Sequence, residues 1–505
     1  MIALHKTSGF HLFSSIDVAN PGNPLGKGQF RLADRMVPEW GEPQFSIDGL
    51  YLWQAGCPLV IIRDETGASI GCLLGTPIDY RRCDVIREEI VFDSRGLRHR
   101  SDQDAITTLE DWLYSFAGTW VAIVVVNGNR RLYVDTNATM GVVFDPASRL
   151  VGATAAAILD KTSYVERFRR ELFGKMDVLG AGWFIAGLTA HRGVVRLLAN
   201  HYLDLRDWSI QRHWPRETSI KPCSDEQSSL NRISEIIERQ LGALLRTGSV
   251  CCSLTGGYET RALLACSREV RDSLHFATVA FSGTARDVYL ATRLASRFRL
   301  KHSIYPERRA EFAEAMQWLH DHGHCVGGPL VWAHPSTAGL SEYDYFVGGL
   351  GGEVARGFFY RVSDESDSPL NARSLVSRTG LPPEATVVNA ADQWLFGVPR
   401  LSSPEILDLA YVELRMGPWA FASVYPHQYT TEIHPMVCRE IYELMFGLPL
   451  SSKRINPIRE IVRLRGPELL QFPVNRYGDF RDVLSVLSKA SEPKRVIKKL
   501  RKLWG

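Results

Sequence analysis

Along the first 210 residues, apolar positions occur in short runs or alternate with polar ones, which is the two-residue period of β-strands. Such stretches cover residues 59–62, 120–126, 131–135 and 141–144. Turn residues separate them, as at Asn23-Pro24 and Asn127-Gly128-Asn129. Helical spacing interrupts the pattern at 105–114 and 164–173, so residues 1–210 are expected to form a mostly β domain. A stretch rich in proline, serine and charge, residues 216–225, reads as a linker. The period then changes. Leu230, Ile233, Ile236, Ile237, Leu241, Leu244 and Leu245 recur at helical intervals and predict one amphipathic helix packed on a core. An apolar strand at 250–254, a second at 275–282, a helix at 287–298 and a third strand at 302–306 follow. This βαβα rhythm predicts a parallel sheet that binds a nucleotide beyond the carboxyl ends of its strands. A helical region is expected over 404–448, within a second domain spanning 225–488.

Two glycine-rich turns carry the candidate chemistry. The first follows the strand at 250–254, where Ser253 and Leu254 lead into Thr255-Gly-Gly-Tyr-Glu-Thr260. Gly256 and Gly257 let backbone amides approach an anion, and the hydroxyls of Thr255 and Thr260 add donors beside a helix N-terminus. Glu259 adds a carboxylate where a divalent ion bridging phosphate oxygens needs an oxygen ligand. Two adjacent glycines after a strand also make an ordinary turn. The spacing matches neither the P-loop nor the dinucleotide fingerprint. A second turn, Gly348-Gly-Leu-Gly-Gly-Glu353, follows the apolar stretch 343–347, and Arg356 lies just beyond it, suited to a substrate carboxylate or phosphate or to a surface ion pair. Between the two turns, His320, His322, His324, Cys325 and His334 alternate in a way that suits a transition metal. With no second ligand cluster in the chain, a loop lining the substrate cleft is the stronger expectation.

Composition adds limits. The 505 residues are 45% hydrophobic and 23% charged, ordinary for a globular protein with large cores. Nine cysteines without a CxxC pair suit a reducing cytosol, not a disulfide framework. Residues 1–6 lack a signal-peptide core and no run of about 18 apolar residues occurs, so a cytoplasmic protein is expected. Residues 489–505 contain seven basic side chains and one acidic, against a net +3 for the whole chain. Val496, Ile497, Leu500, Leu503 and Trp504 share one face of that segment, a basic amphipathic helix suited to an anionic lipid surface or an acidic protein patch. Nucleic acid is not expected, because nothing else forms a basic stripe.

In their order, these motifs resemble the asparagine synthetase superfamily, which includes β-lactam synthetases and lasso peptide cyclases. Thr255-Gly-Gly-Tyr-Glu-Thr260 is similar to that family's Ser-Gly-Gly-x-Asp-Ser pyrophosphate loop, and Gly349-Leu-Gly-Gly-Glu-Val354 to its Gly-Asp-Gly-Gly-Asp-Glu turn. Residues 116–126 and 131–136, and the join 197–205 with Trp208 and Trp214, are similar to its amino-terminal domain. The resemblance implies an α/β protein with an N-terminal α+β Ntn-like domain, a degenerate class II glutamine amidotransferase. A C-terminal doubly wound ATP pyrophosphatase domain with a helical cover would follow it.

The same resemblance implies ATP and Mg2+ as cofactors, with ATP and pyrophosphate on Ser253, Leu254, Thr255, Gly256, Gly257, Glu259, Thr260 and Gly349. Glu259 and Glu353 stand where the family has metal-binding aspartates. The family's lysine on the pyrophosphate leaving group is represented by Arg459 and Arg463, with Lys453 upstream; arginine can neutralise charge but cannot trade protons. Leu350 replaces the catalytic tyrosine of β-lactam synthetases, and Ile2 stands where glutamine-using members carry their cysteine nucleophile. The implied reaction is adenylation of a small-molecule, glycan-linked or peptide carboxylate, followed by attack of an amine. Lasso-type macrolactam closure, asparagine synthesis from ammonia, and an inactive nucleotide-binding scaffold are the alternatives.

Overall fold

The computed structural model describes residues 25–93, 102–180, 182–216, 220–281, 283–361, 364, 370–420 and 430–482. Ile2, the Asn23-Pro24 turn and the basic tail lie outside the described residues. The amino-terminal half is built on two largely antiparallel sheets. The first runs in the order β12 (Val195–Arg196), β10 (Val143–Asp145), β11 (Leu150–Gly152), β1 (Phe30–Ala33), β3 (Leu50–Gln54) and β2 (Phe45–Ile47). The second runs β14 (Ser209–Arg212), β13 (His201–Asp204), β9 (Asn129–Val134), β8 (Ala117–Val126), β5 (Ser69–Asp79), β4 (Leu59–Asp64) and β7 (Glu89–Phe92), with β6 (Asp84–Val85) on β5. Strand alternation sorts their side chains into layers. Leu74, Val121 and Ile123 share a core with Phe30, Leu32 and Leu52 of the other sheet. Leu73, Ala122 and Val124 point the opposite way, onto Leu109 and Leu113 of the helix Asp102–Leu113.

The carboxyl half is organised by an all-parallel sheet in the order β17 (His302–Tyr305), β16 (His275–Val279), β15 (Val250–Ser253), β18 (Tyr345–Val347) and β19 (Thr431–Ile433). The first strand in sequence lies in the middle, so the strand order reverses between β15 and β18. The predicted amphipathic helix is Glu226–Thr247; the Asp225 side chain caps it by accepting from the Ser228 amide. Its stripe from Leu230 to Leu244 is buried, and Leu245 partly so.

Some expectations need correction. The helix expected at 164–173 is broken into Lys161–Arg167 and Arg170–Lys175 by extended Phe168, which bridges to His191. Within the region expected to be helical, β19 appears as a three-residue strand, too short for a periodic signal. The segment read as a linker is pinned: Arg216 pairs with Glu110 and Asp111, and the Cys223 amide donates to the Gly447 carbonyl. The two halves also share one continuous apolar core. The histidine loop wedges between the halves and does not line the glycine turns. His324 Nδ1 lies 2.8 Å from the Tyr164 hydroxyl, His322 Nδ1 lies 2.7 Å from the Trp318 carbonyl oxygen, and the Phe184 amide donates to the Cys325 carbonyl. Among the described residues, no group of three or more His, Cys, Asp or Glu side chains is placed to hold a metal. No described helix is long and apolar enough to cross a membrane.

A buried ion pair locks the halves together. Arg212 of β14 donates to both oxygens of Glu413 at 2.7 and 2.8 Å, while Trp394 Nε1 and Asn200 Nδ2 donate to the same carboxylate. Burial works against the Glu413 charge, but Arg212 outweighs it and holds the carboxyl below its ordinary range. Removing one partner strands the other charge. Arg212→Ala is therefore expected to cost about 3–5 kcal/mol, read from urea unfolding.

Burial also holds His191, His213 and His324 neutral, His324 being pushed down to about 3. In the unfolded chain these imidazoles take up protons near 6.5, and in the fold they resist doing so. Their contribution is full above that value and is lost as the pH falls toward about 3. Unfolding free energy measured from pH 7.5 to 4.5 is expected to fall most steeply below about 6.5, and His191→Gln is expected to flatten that slope.

Candidate functional site

Both glycine turns leave the carboxyl ends of neighbouring strands, because β15 pairs with β18 with Cys252 opposite Val347. They meet at the strand-order reversal, where open parallel sheets form their ligand crevice. The turns touch directly. A Cβ added at Gly349 would lie 2.9 Å from the Glu259 Cβ, and one at Gly352 would lie 2.8 Å from the Glu259 Cγ. Gly351 has φ +100°, so the second turn needs glycine for its backbone as well as for this close approach.

The first turn opens the helix Tyr258–Cys266, whose Arg261 is fully buried. Arg261 donates to the carbonyls of Leu469, Phe472 and Pro473, tying residues 467–475 over the turn, and burial pushes its guanidinium down to about 10. The Asn475 amide donates to the Gly256 carbonyl at 2.9 Å. The amides of the turn have internal partners. Thr255 N–H donates to Thr260 Oγ1 and Gly257 N–H to Thr255 Oγ1, each at 3.2 Å. Gly256 N–H donates to Asp287 Oδ1 at 2.9 Å.

Glu259 and Glu353 face one another across the two turns. Burial, and then the charge of Glu259, raise the Glu353 carboxyl above its ordinary range. Arg356 lies between them, with Nη2 2.9 Å from Glu259 Oε1 and 3.6 Å from Glu353 Oε1. The shorter contact is an ion pair without hydrogen-bond alignment: Glu259 Oε1, Glu353 Oε2 and Arg356 Nε are all buried without a hydrogen bond. These orphaned carboxylate oxygens are the donor set a hard divalent cation takes.

A π-helical turn, Tyr411–Met416, forms the wall behind Glu353. Burial, then the charge of Glu353, raise the Tyr411 hydroxyl, and Arg415 stacks on Trp183 and Trp419 at 4.1 and 4.8 Å. His434, just after β19, lies against Gly348, where an added Cβ would come within 2.6 Å of its ring. Burial pushes His434 down to about 4, and its Nε2 is 3.3 Å from Glu432 Oε1. Glu432 also lines a cavity of about 290 Å³ with Lys27, Cys57, Thr76, Thr119 and Tyr343.

The structure thus brings together Thr255, Gly256, Gly257, Glu259, Thr260, Gly349 and Glu353, with Ser253 and Leu254 at the strand end. Two of the three cations expected at the leaving group are paired with other carboxylates. Lys453 is buried against Asp408 and the Phe446 carbonyl, a pairing that fixes its position in the helical region. Arg463 is exposed and pairs with Glu460 on its own helix, Pro457–Arg465. Arg459 is exposed on the same helix and forms no ion pair with a described residue. That helix approaches the turns with its apolar face, since Ile458 lies beside Gly352. Asp287, Arg261 and Asn475 were not expected at the site. Asp287 reads as an ordinary first-turn acid, and no local pattern reveals that it reaches back to Gly256.

The chain matches no protein-family model, and no curated protein is significantly similar to it.

Gly349→Ala is expected to destabilise the protein by about 1–3 kcal/mol, because the added methyl meets the Glu259 and Thr260 backbone at 3.3 Å as well as the Glu259 side chain. Thermal unfolding beside Gly380→Ala, whose added Cβ meets nothing within 4 Å but whose φ is +79°, separates overpacking at Gly349, which lies outside the left-handed region, from backbone strain.

Proposed function

We propose that this protein is an ATP-dependent carbon–nitrogen ligase. It adenylates a substrate carboxylate and then passes the acyl group to an amine. The observation that supports this most is the meeting of the two glycine turns at the reversal point of the parallel sheet, with Glu259 and Glu353 converging there. On this reading the carboxyl half is an ATP pyrophosphatase domain, and the two-sheet half is an Ntn-like relic of a glutaminase. The nine free cysteines suit a cytoplasmic setting.

Glu259 and Glu353 would hold Mg2+, and their orphaned oxygens fit it. When bound, the ion supplies positive charge to the phosphates. The chain's own groups do the rest. The Thr255–Thr260 turn orients the β- and γ-phosphates with backbone and hydroxyl donors. The acid's oxygen forms a bond to the α-phosphorus while the bond to pyrophosphate breaks. The amine then forms a bond to the carbonyl carbon, AMP leaves, and the nitrogen loses a proton to solvent. Burial around Tyr411 and Tyr442 excludes water that would hydrolyse the activated acid.

A second reading, a nucleotide-binding scaffold, is favoured by the internal bonding of the Thr255, Gly256 and Gly257 amides. Incubation with ATP, Mg2+, hydroxylamine as a general amine, and pools of small, glycan-linked and peptide acids distinguishes the two. The ligase releases AMP and pyrophosphate and forms a hydroxamate. Glu259→Gln and Glu353→Gln are each expected to reduce that release by about 10²-fold or more, a loss of several kcal/mol of charge stabilisation. Absence of both products with every acid would leave the scaffold.

A further inference from the structure

Both polarities of the site are filled by the protein's own side chains. Asp287 places a carboxylate oxygen on the Gly256 amide, where the turn would receive a phosphate oxygen. Arg356 places a guanidinium between Glu259 and Glu353, where the pair would receive a metal ion. One contact is made at Gly256 and the other at Glu259, and the two side chains are opposite in charge. Together they reproduce, with side chains, the anion and cation of a metal–nucleotide complex.

We infer that Asp287 and Arg356 are resident counter-ions that the ligand displaces, so that phosphate exchanges for Asp287 and a divalent cation exchanges for Arg356. This rests on the ligase reading and assigns a specific role to two residues of that site.

The geometry of Arg356 makes it displaceable. Its contacts are ion pairs at 2.9 and 3.6 Å without aligned hydrogen bonds, its Nε has no partner, and its side chain is 32% exposed. Arginines that fasten this fold are held differently. Arg212 grips Glu413 through two aligned bonds, and Arg378 grips Asp364 at 2.7 and 2.8 Å. Charge argues in the same direction. One guanidinium against two carboxylates leaves a net negative charge. A divalent ion neutralises both. Asp287 is half-buried in the first turn of the helix Ala285–Phe298, so it can turn to solvent while its helix stays in place.

The exchange has a thermodynamic consequence. In the ligand-free protein a metal ion competes with Arg356, and a phosphate competes with Asp287. Removing either resident should tighten the matching ligand without the other ligand present. Mn2+ binding is read by electron paramagnetic resonance in the absence of nucleotide, and ATP binding without metal by equilibrium dialysis. Arg356→Gln is expected to bind Mn2+ about tenfold tighter than the wild type, and Asp287→Asn to bind ATP about tenfold tighter. Arg356→Lys keeps a cation and should stay close to the wild type in Mn2+ affinity. Arg356→Gln with Glu259→Gln should lose the gain.

Unchanged or weaker Mn2+ binding by Arg356→Gln, in a protein that melts like the wild type and still releases AMP, overturns the exchange and leaves the ligase standing. If Arg356→Gln unfolds, an unchanged or weaker metal-free ATP affinity of Asp287→Asn overturns it instead. No binding of ATP or Mn2+ by any of these proteins, together with no AMP release, removes both readings.

Discussion

Strand β15 hydrogen-bonds in parallel on both edges, to β16 on one side and β18 on the other. That pairing controls the site. A parallel sheet sends every chain out at the same end, and reversal of strand order beside β15 leaves the turns after β15 and β18 with no crossover helix between them. Glycine at 349 and 352 then lets the second turn press on Glu259, a side chain of the first. Without the pairing of Cys252 with Val347, the carboxylates of Glu259 and Glu353 would have no reason to meet.

The amino-terminal half contributes to the same place from behind. Arg212, on its last strand, holds Glu413, which lies in the π-helical turn that carries Tyr411 and Arg415. Trp183 of the same half lies under Arg415 and donates to the Leu414 carbonyl. A widened helical turn is held only where its surroundings over-determine it. Here a buried carboxylate with donors on Arg212, Trp394 and Asn200 does so. The two-sheet half therefore shapes the wall of the candidate site without supplying a reactive group to it.

Much of this arrangement is legible in the sequence, for definite reasons. The stripe from Leu230 to Leu244 announces its helix because burial on one face demands that spacing, and β15 and β16 are apolar because parallel strands are covered on both faces. The turns are visible because close backbone approach admits only glycine. What stays hidden is long-range. Asp287, Asn475 and Arg261 act on the first turn through contacts that no local period encodes, and β19 is too short to show a period. The basic stretch 453–463 looks like leaving-group machinery, yet Lys453 is taken by Asp408 and Arg463 by Glu460. Sequence shows a cation but not the carboxylate that reaches it first. The histidines at 320, 322 and 324 mislead in the same way: the alternation suits metal ligands, while the fold uses their rings as packing against Tyr164, Phe168 and Trp318.

Arg261 carries a charge deep inside the protein, and its two terminal nitrogens donate to carbonyl oxygens of residues 208, 211 and 212 positions further along, while its Nε has no hydrogen-bond partner. During synthesis the helix bearing this guanidinium leaves the ribosome long before those carbonyls exist. Until they arrive, the charge belongs in water and the turn beside it is open on the Asn475 side. The first glycine turn is thus completed by nearly the last described residues to be translated. A ribosome stalled upstream of residue 469 would display a parallel sheet whose central loop is still unclosed.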